Sequence, residues 1–100
     1  MEVIIKDNKF ILIDESKKEW GFVQFKKERN LLTILKTYVN PDARGKGVAK
    51  LLTEFLFNYA IKENFILHLI CSYSVDFYNK NKAHYLGLKV ILDNEPKCML

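Results

Sequence analysis

Residues 37 to 52 combine residue types in an order that suits phosphate binding. A stretch rich in β-branched side chains ends at Val39, a turn follows at Asn40-Pro41-Asp42, and a helical pattern begins near Gly45. The first turn of a helix has unpaired backbone N–H groups and a partial positive charge, so it attracts anions. This segment is therefore a candidate phosphate site.

Four residues at the start of the predicted helix strengthen this interpretation. Gly45 and Gly47 lack the side chains that would keep an anion away from the backbone. Arg44 and Lys46 add positive charge, and the guanidinium of Arg44 suits two-pronged phosphate contact. Glycine-rich turns also occur in ordinary strand-turn-helix connections with basic surface residues, so the spacing alone leaves both interpretations open.

Two common phosphate-binding motifs do not fit the segment. A Walker-type loop has Ser or Thr after its lysine, whereas Gly47 follows Lys46 here. The dinucleotide-binding fingerprint requires a third glycine, and Lys50 occupies that position.

The run Arg44-Gly45-Lys46-Gly47-Val48-Ala49 does resemble another motif, the acetyl-CoA-binding loop of the GNAT superfamily of N-acetyltransferases. In that motif Gln or Arg, two residues, Gly, one residue and then Gly or Ala surround the CoA pyrophosphate. More narrowly, residues 37 to 49 resemble compact single-domain GNAT-like acetyltransferases of about this length, which have Thr-x-Val-x-Pro at the strand end. The resemblance continues to Cys71-Ser72-Tyr73 and covers residues 20 to 80.

The resemblance implies a GNAT-like fold with acetyl-CoA as the cosubstrate. In GNAT proteins two parallel strands separate at their ends, and the pantetheine arm of CoA pairs with the freed backbone groups of the first strand. The cofactor-binding residues implied in this chain are Tyr38, Val39, Arg44, Gly45, Lys46, Gly47, Val48 and Ala49.

Cys71 is the first candidate catalytic residue. It lies where an apolar strand ends and a helix begins, and a helix N-terminus lowers the pKa of a thiol. The compact family has a cysteine at this position, which implies an acetyl acceptor or a group that contacts the thioester. The alternative is a small core residue, because free cysteines are usually buried.

Tyr78 is the second candidate catalytic residue. The resemblance implies that a phenol seven residues beyond the strand end protonates the departing CoA thiolate, and Tyr78 is seven residues beyond Cys71. A core or rim aromatic is the alternative.

The sequence departs from the family pattern at three places. Residues 31 to 36 lack the Glu that many GNAT enzymes use as a general base. Lys36 occupies the position of a family His, and residues 81 to 85 differ from the family's His-Pro-Glu-Tyr.

Hydrophobic periodicity predicts the elements that would position these residues. We expect a hairpin with a turn at Asp7-Asn8, two longer strands, a helix, a crossover strand, a second helix capped by Ser72 or Ser74, and a last strand. The predicted bounds are Glu2 to Lys6, Lys9 to Asp14, Trp20 to Lys26, Leu31 to Val39, Gly45 to Lys62, Phe65 to Ile70, Ser72 to Asn79 or Lys80, and Lys89 to Leu92. The predicted class is α/β (α+β): an antiparallel β-meander followed by a parallel strand pair with a crossover helix.

Composition predicts one packed domain over residues 1 to 100. Charged residues interrupt the N-terminal apolar run and no run is long enough to span a membrane, so we expect a cytoplasmic protein with no membrane partner. The formal charge of +4 is spread along the chain, which favours attraction of an anionic cofactor over a nucleic-acid footprint. Cys71 and Cys98 are expected as free thiols, and the scattered His and Cys residues predict no metal site and no metal cofactor. We interpret His68 as a core histidine, His84 as solvated, and Trp20 as an anchor between sheet and helix.

These inferences predict an N-acetyltransferase that transfers acetyl from acetyl-CoA to an unidentified amine, either a small molecule or a protein. GNAT domains have two helices between their first strands, for which Asp7-Asn8 leaves no room. The resulting open site suits a bulky amine such as a protein lysine or terminus. The alternatives are an acyl-CoA-binding module without transferase activity and a basic nucleic-acid or protein-interaction domain, and the aromatic spacing does not favour the latter.

Overall fold

A computed structural model describes residues 1 to 92 as a six-stranded sheet with two α-helices and two short 3-10 helices. The elements in chain order are β1 (Glu2–Lys6), β2 (Lys9–Ile13), β3 (Glu19–Glu28), β4 (Leu31–Val39), a 3-10 turn (Pro41–Ala43), α1 (Val48–Glu63), β5 (Ile66–Leu69), α2 (Ser72–Asn81), a second 3-10 turn (Lys82–His84) and β6 (Lys89–Leu92). Cys98, predicted as a free thiol, lies outside the described residues.

The strands lie in the sheet in their sequence order. Strands β1 to β4 pair antiparallel, whereas β5 pairs parallel with both β4 and β6. Asp7 and Asn8 both have left-handed φ angles, of 54° and 61°, as the tight turn of the first hairpin requires. The predicted meander, parallel pair and crossover helix are thus confirmed, and the assignment of all 100 residues to one domain stays a prediction.

Both helices lie on the same face of the sheet. The two crossover connections step in the same direction, from β4 to β5 and from β5 to β6, so right-handed connections bring both helices to one side. Phe57 of α1 and Phe77 of α2 meet edge to face with ring centroids 5.5 Å apart, which confirms that arrangement. The opposite face, called here the helix-free face, carries no helix of residues 1 to 92.

The core lies between α1 and the sheet. Alternate residues of β3 to β5, Phe10 and Leu12 of β2, and the inner face of α1 are almost fully buried, and each large apolar side chain among them contributes about 1.5 to 3 kcal/mol relative to exposure. In β2 the outward-facing Ile11 and Ile13 are buried as well, although they lie outside this core cluster. The principal members are Phe10, Val23, Leu32, Ile34, Leu52, Leu56, Phe57, Leu67 and Leu69.

The helix α1 begins three residues later than predicted, at Val48 rather than Gly45. Gly45 and Gly47 have φ angles of 83° and 76°, which a right-handed helix does not contain. An added Cβ at either glycine would meet no atom within 4 Å, so backbone conformation rather than space requires glycine there. The two glycines form the turn that leads into the helix.

Two further sequence predictions were wrong. The N-cap of α2 is Cys71, with no side-chain capping bond, and Ser74 Oγ instead donates to the Cys71 carbonyl at 2.9 Å. His68 is half-buried on the helix-free face rather than in the core, because its neighbours Leu67 and Leu69 take the inward positions. His84 is exposed, as predicted.

Two negative findings apply to residues 1 to 92. Neither α-helix there combines the length and apolar character needed to cross a bilayer. The same residues contain no cluster of three or more His, Cys, Asp or Glu side chains arranged to hold a metal ion.

Gly21 sets how closely α1 approaches the sheet. It pairs with Val39 across β3 and β4, and a Cβ added to Gly21 would meet the Tyr38 carbonyl oxygen at 2.5 Å and Val48 Cγ1 at 3.0 Å. The backbone of Tyr38 cannot move away from such a contact without distorting the hydrogen bonds between β3 and β4. The glycine therefore lets the start of α1 lie directly over the end of β4.

We predict that Gly21→Ala lowers the free energy of unfolding by about 2 kcal/mol, the scale of overpacking in a closed core. Urea denaturation followed by circular dichroism would measure the change. Gly87→Ala is the matched control, because its Cβ would make only an ordinary contact of 3.9 Å with Ile61. Equal effects of the two substitutions would contradict the packing role of Gly21.

Candidate functional site

A gap opens between β4 and β5 beyond Ile34. The parallel register ends with Ile34 opposite Leu69, and the backbone N–H groups of Ile70 and Cys71 both donate to the Ile34 carbonyl at 3.1 Å. Strand β4 continues to Val39 while the other chain turns into α2. Within residues 1 to 92, the second half of β4 therefore has no strand partner on its β5 side.

A β-bulge at Leu35 accompanies the gap. Gln24 of β3 pairs with Lys36, but the next residue, Phe25, pairs with Ile34, so Leu35 is the extra residue on β4. Such bulges bend a strand and increase its twist. Here the bulge lies at the residue where β4 parts from β5.

A cleft of about 180 Å³ lies beside this gap. It is bounded by the end of β4, the glycine turn, the first turn of α1 and the first turn of α2. Its lining residues are Val39, Ala43, Arg44, Gly45, Gly47, Val48, Ala49, Lys50 and Tyr73. Two helix N-termini thus face one cleft, because both helices follow parallel strands and start at the same edge of the sheet.

Six of the eight predicted cofactor-binding residues line the cleft, and Tyr38 and Lys46 do not. The Tyr38 ring stacks on Phe22 on the helix-free face, with centroids 5.4 Å apart. The Lys46 ammonium lies 5.8 Å from the centroid of the Trp20 ring, at the outer rim of the turn. Arg44 Nε donates to the Val39 carbonyl at 3.3 Å, which ties the loop to the strand end.

The segment that leads into the cleft is held by the β2–β3 loop and by the start of β3. Lys18 Nζ forms an ion pair with Asp42 Oδ2 at 2.6 Å, and the Asn40 N–H donates to the Trp20 carbonyl at 2.9 Å. Trp20 in turn donates its indole N–H to Asp14 at 2.9 Å. This bond, with those from Ser16 and Lys18, holds the pKa of Asp14 well below its ordinary value.

Trp20 therefore does more than the predicted anchoring of sheet to helix. It packs against the core cluster, and it also connects the β2–β3 loop to the strand end and to Lys46. The turn before the cleft is consequently held from outside the cleft.

Cys71 lies across the gap from Thr37. The two side chains are in hydrogen-bond contact, with Cys71 Sγ 3.4 Å from Thr37 Oγ1. Burial is the largest single influence and raises the pKa of the Cys71 thiol. Hydrogen bonds from Thr37, from the N–H groups of Ser74 and Tyr73, and from the Ser74 hydroxyl together outweigh it, so the pKa is lower than that of an ordinary thiol.

Tyr78 is not among the residues that line the cleft. Seven residues of helix separate it from Cys71 by about 10 Å along the axis of α2. Its ring packs edge-on against Phe57 with centroids 6.2 Å apart, and it lines a different cavity beside Lys82 and Leu86. Its catalytic role stays a prediction.

Thr37 and Tyr73 are candidate residues that the sequence reasoning did not select. Tyr73 is the one phenol among the described residues that line the cleft, and burial, followed by the charges of Asp76 and Glu54, raises its pKa. Both residues could have been found from the sequence. Thr37 begins the strand-end motif, and Tyr73 lies in the first turn after Cys71, where the ends of two parallel strands meet.

The comparisons with known proteins agree with this geometry. The sequence model of the family described as GCN5-related N-acetyl-transferase matches residues 9–88. The solution NMR structure of a GCN5-like protein from Staphylococcus aureus is similar, with a TM-score of 0.67, 22% sequence identity, and coverage of 94% of this chain and 92% of that one. No curated protein sequence matches the chain.

We predict that Thr37→Val raises the pKa of Cys71, because it removes a donor that stabilises the thiolate. Loss of one hydrogen bond to a charged group corresponds to about one pKa unit, so iodoacetamide should alkylate Cys71 roughly three to ten times more slowly at pH 7. Peptide-resolved mass spectrometry in a Cys98→Ser background would measure that rate.

Thr33→Val is the matched control, since Thr33 lies on the same strand and pairs with Lys26 and His68 on the helix-free face. An unchanged alkylation rate in Thr37→Val, or an equal loss in Thr33→Val, would show that the hydroxyl does not act on the thiol.

Proposed function

The chain belongs to the GCN5-related N-acetyl-transferase family, whose sequence model covers most of its length, and we propose that it transfers an acetyl group from acetyl-CoA to an amine. The observation that carries the proposal is the convergence of two helix N-termini and Arg44 on a cleft that leads to the unpartnered half of β4. The phosphate groups of acetyl-CoA suit the helix N-termini and Arg44, and its extended pantetheine arm suits the unpaired strand edge.

In this proposal the pyrophosphate lies against the backbone of residues 45 to 49. The glycine turn and the first turn of α1 present N–H groups there, and Arg44 and Lys50 supply positive charge at the cleft. Lys46 contributes from the rim, above Trp20. The phosphate groups would then be bound mainly by backbone donors whose positions are set by the fold.

The pantetheine arm would extend from the cleft along β4 beyond Ile34. Pairing with the backbone of Tyr38 and Val39 would replace the hydrogen bonds that β5 stops supplying after Ile34. The arm would end beside Thr37 and Cys71, which lie on the two sides of the gap. Entry of the pantetheine arm at the gap would thus bring the thioester of acetyl-CoA next to the Cys71 thiol, whose pKa is lowered.

Two chemical routes are open at this position. In the direct route the amine nitrogen attacks the thioester carbonyl, the carbon–sulfur bond breaks, and CoA leaves as a thiolate that takes a proton from Cys71, from Tyr73 in the cleft, or from Tyr78 if α2 brings that phenol closer when acetyl-CoA binds. In the covalent route the Cys71 thiolate attacks first, CoA leaves, and the amine then takes the acetyl group from Cys71. In both routes the acceptor nitrogen loses its proton to water or to a group of the acceptor.

The acceptor we propose is a bulky amine, such as a protein lysine or a chain terminus. The two-residue turn between β1 and β2 leaves the first strands without any helix between them. Access to the gap from the helix-free face is therefore not covered by any element of residues 1 to 92. A small amine would be surrounded poorly in such an open site.

A CoA-binding module without transferase activity is a second candidate function. Among residues 1 to 92, the side chains that line the cleft include no Asp or Glu, so the cleft itself offers no carboxylate as a general base. Binding without turnover would follow if neither Cys71 nor the acceptor can substitute for that base.

We predict that acetyl-CoA stabilises the protein against heat. Ligand at a hundredfold excess over its dissociation constant adds about 2.7 kcal/mol, which is several degrees in a domain of this size. Differential scanning calorimetry would measure the shift. The absence of a shift at millimolar acetyl-CoA would refute the proposal in both of its forms.

Arg44→Gln should weaken acetyl-CoA binding about tenfold or more, because charge-assisted bonds to phosphate contribute about 1.5 to 3 kcal/mol. Isothermal titration calorimetry would give the dissociation constants. Arg29→Gln is the matched control, since Arg29 lies in the β3–β4 turn at the opposite end of β4 from the cleft. Comparable losses in both variants would count against a specific role of Arg44.

We predict that Cys71→Ser reduces acetyl transfer at least tenfold while acetyl-CoA binding is retained, since serine is not ionised at neutral pH. A thiol-release assay with an amine acceptor would measure turnover, and mass spectrometry of acid-quenched protein would detect acetyl on Cys71 if the covalent route operates. Tyr78→Phe and Tyr73→Phe assayed in parallel show whether either phenol supplies the proton. Unchanged turnover in Cys71→Ser would make Cys71 a structural residue.

A further inference from the structure

Two rows of side chains cross four strands on the helix-free face. Cross-strand partners share a face of the sheet, so the register of β1 to β4 defines each row. The lysine row consists of Lys6, Lys9, Gln24 and Lys36, and the aromatic row consists of Ile4, Ile11, Phe22 and Tyr38. Each row is about 14 Å long, since neighbouring strands lie about 4.8 Å apart.

The lysine row concentrates positive charge without compensation. None of its three lysines forms an ion pair with the carboxylates of residues 1 to 92, including Asp7 in the adjoining turn. Lys6 and Lys9 lie directly opposite each other, an arrangement that destabilises a sheet. The fold thus retains an unfavourable charge pattern at this place, and an anionic partner would relieve it.

The aromatic row supplies an apolar strip beside this charge. Phe22 and Tyr38 stack on each other, and the Lys9 ammonium covers the Phe22 ring at 4.5 Å from its centroid. The Phe22 ring face is therefore already occupied and offers no platform for a nucleic-acid base. Ile11 of this row is buried, whereas Ile4, Phe22 and Tyr38 are half-buried and remain accessible. Such half-buried apolar side chains next to lysines suit the alternating side chains of an extended peptide.

Both rows end at the gap where chemistry is proposed. Lys36 and Tyr38 flank Thr37 on β4, and the Thr37 side chain reaches Cys71 from the other face. The helix face of this region is occupied by the glycine turn and the starts of α1 and α2. An acceptor that meets an acetyl group held there must approach from the helix-free face, across the two rows.

We propose that the lysine and aromatic rows form the docking surface for the acceptor, an extended polypeptide segment with acidic side chains close to the amine that is acetylated. The proposal rests on the transferase function and adds its substrate class. Carboxylates of the segment pair with Lys6 and Lys36, and its apolar side chains lie on the aromatic row. A segment of about four residues spans the length of either row.

The test compares two fluorescent peptides of equal length, each with one central lysine, flanked in one by Asp and Glu and in the other by Asn and Gln. Fluorescence anisotropy with the full chain and saturating acetyl-CoA measures binding. We expect the acidic peptide to bind several times more tightly. Lys6→Gln/Lys36→Gln should weaken its binding about tenfold at low salt, about threefold for each lysine, and the difference should shrink with added salt.

Lys62→Gln/Lys82→Gln is the matched control, because it removes the same charge from exposed residues of α1 and the second 3-10 turn. It should change binding of the acidic peptide less than twofold. Equal binding of the two peptides, or equal losses in the two double variants, would overturn the proposal. Row variants that weaken binding of single-stranded oligonucleotides but not of the acidic peptide would overturn it too.

The outcome is separable from that of the proposed function. Anisotropy without acetyl-CoA reports on the surface alone, whereas the thermal shift with acetyl-CoA reports on the cleft. If the shift is absent and the acidic peptide still binds through the lysine row, the transferase proposal fails, and the two rows are a peptide-binding surface that serves no acetyl transfer. If the shift and transfer are present but acidic peptides are not preferred, the docking proposal fails alone.

Discussion

The hydrogen bonds that the Ile34 carbonyl accepts from Ile70 and Cys71 are the contacts on which the rest of the site depends. They are the last links between β4 and β5, and both come from the segment that turns away into α2. The chain of β5 therefore leaves the sheet while β4 continues. That single departure opens the gap, starts α2 beside α1, and places Cys71 opposite Thr37.

The same departure explains why so short a chain can contain a site. The main core cluster of residues 1 to 92 holds α1 over the sheet. The site lies outside that core and is made of strand and helix ends, whose unpaired backbone groups need partners in any case. Lys18 of the β2–β3 loop and Trp20 at the start of β3 then hold the turn at Asp42 and Asn40.

Local patterns in the sequence predict most of the strands and the loop. Strands β1, β4 and β6 have the predicted bounds, because alternation and β-branched residues act within a few positions. The bulge at Leu35, the outward position of His68 and the place of Tyr73 depend on register and on which face the helices cover. Those are decided by contacts between distant segments, which short-range periodicity does not contain. The predicted start of α1 is three residues too early, because hydrophobic periodicity carries no information on the positive φ angles of Gly45 and Gly47.

Within residues 1 to 92 the helices cover one face of the sheet, so residues that alternate along a strand have different roles. In β2, Phe10 and Leu12 face the helices and stabilise the fold by packing in the core. Lys9 lies on the opposite face, where a binding partner can contact it. Substitutions at accessible outward positions such as Lys6 and Lys36 can change the electrostatic character of that face without disturbing the packed layer. A two-layer protein of this kind can therefore acquire new specificity through point mutations while its cofactor cleft and its core remain intact.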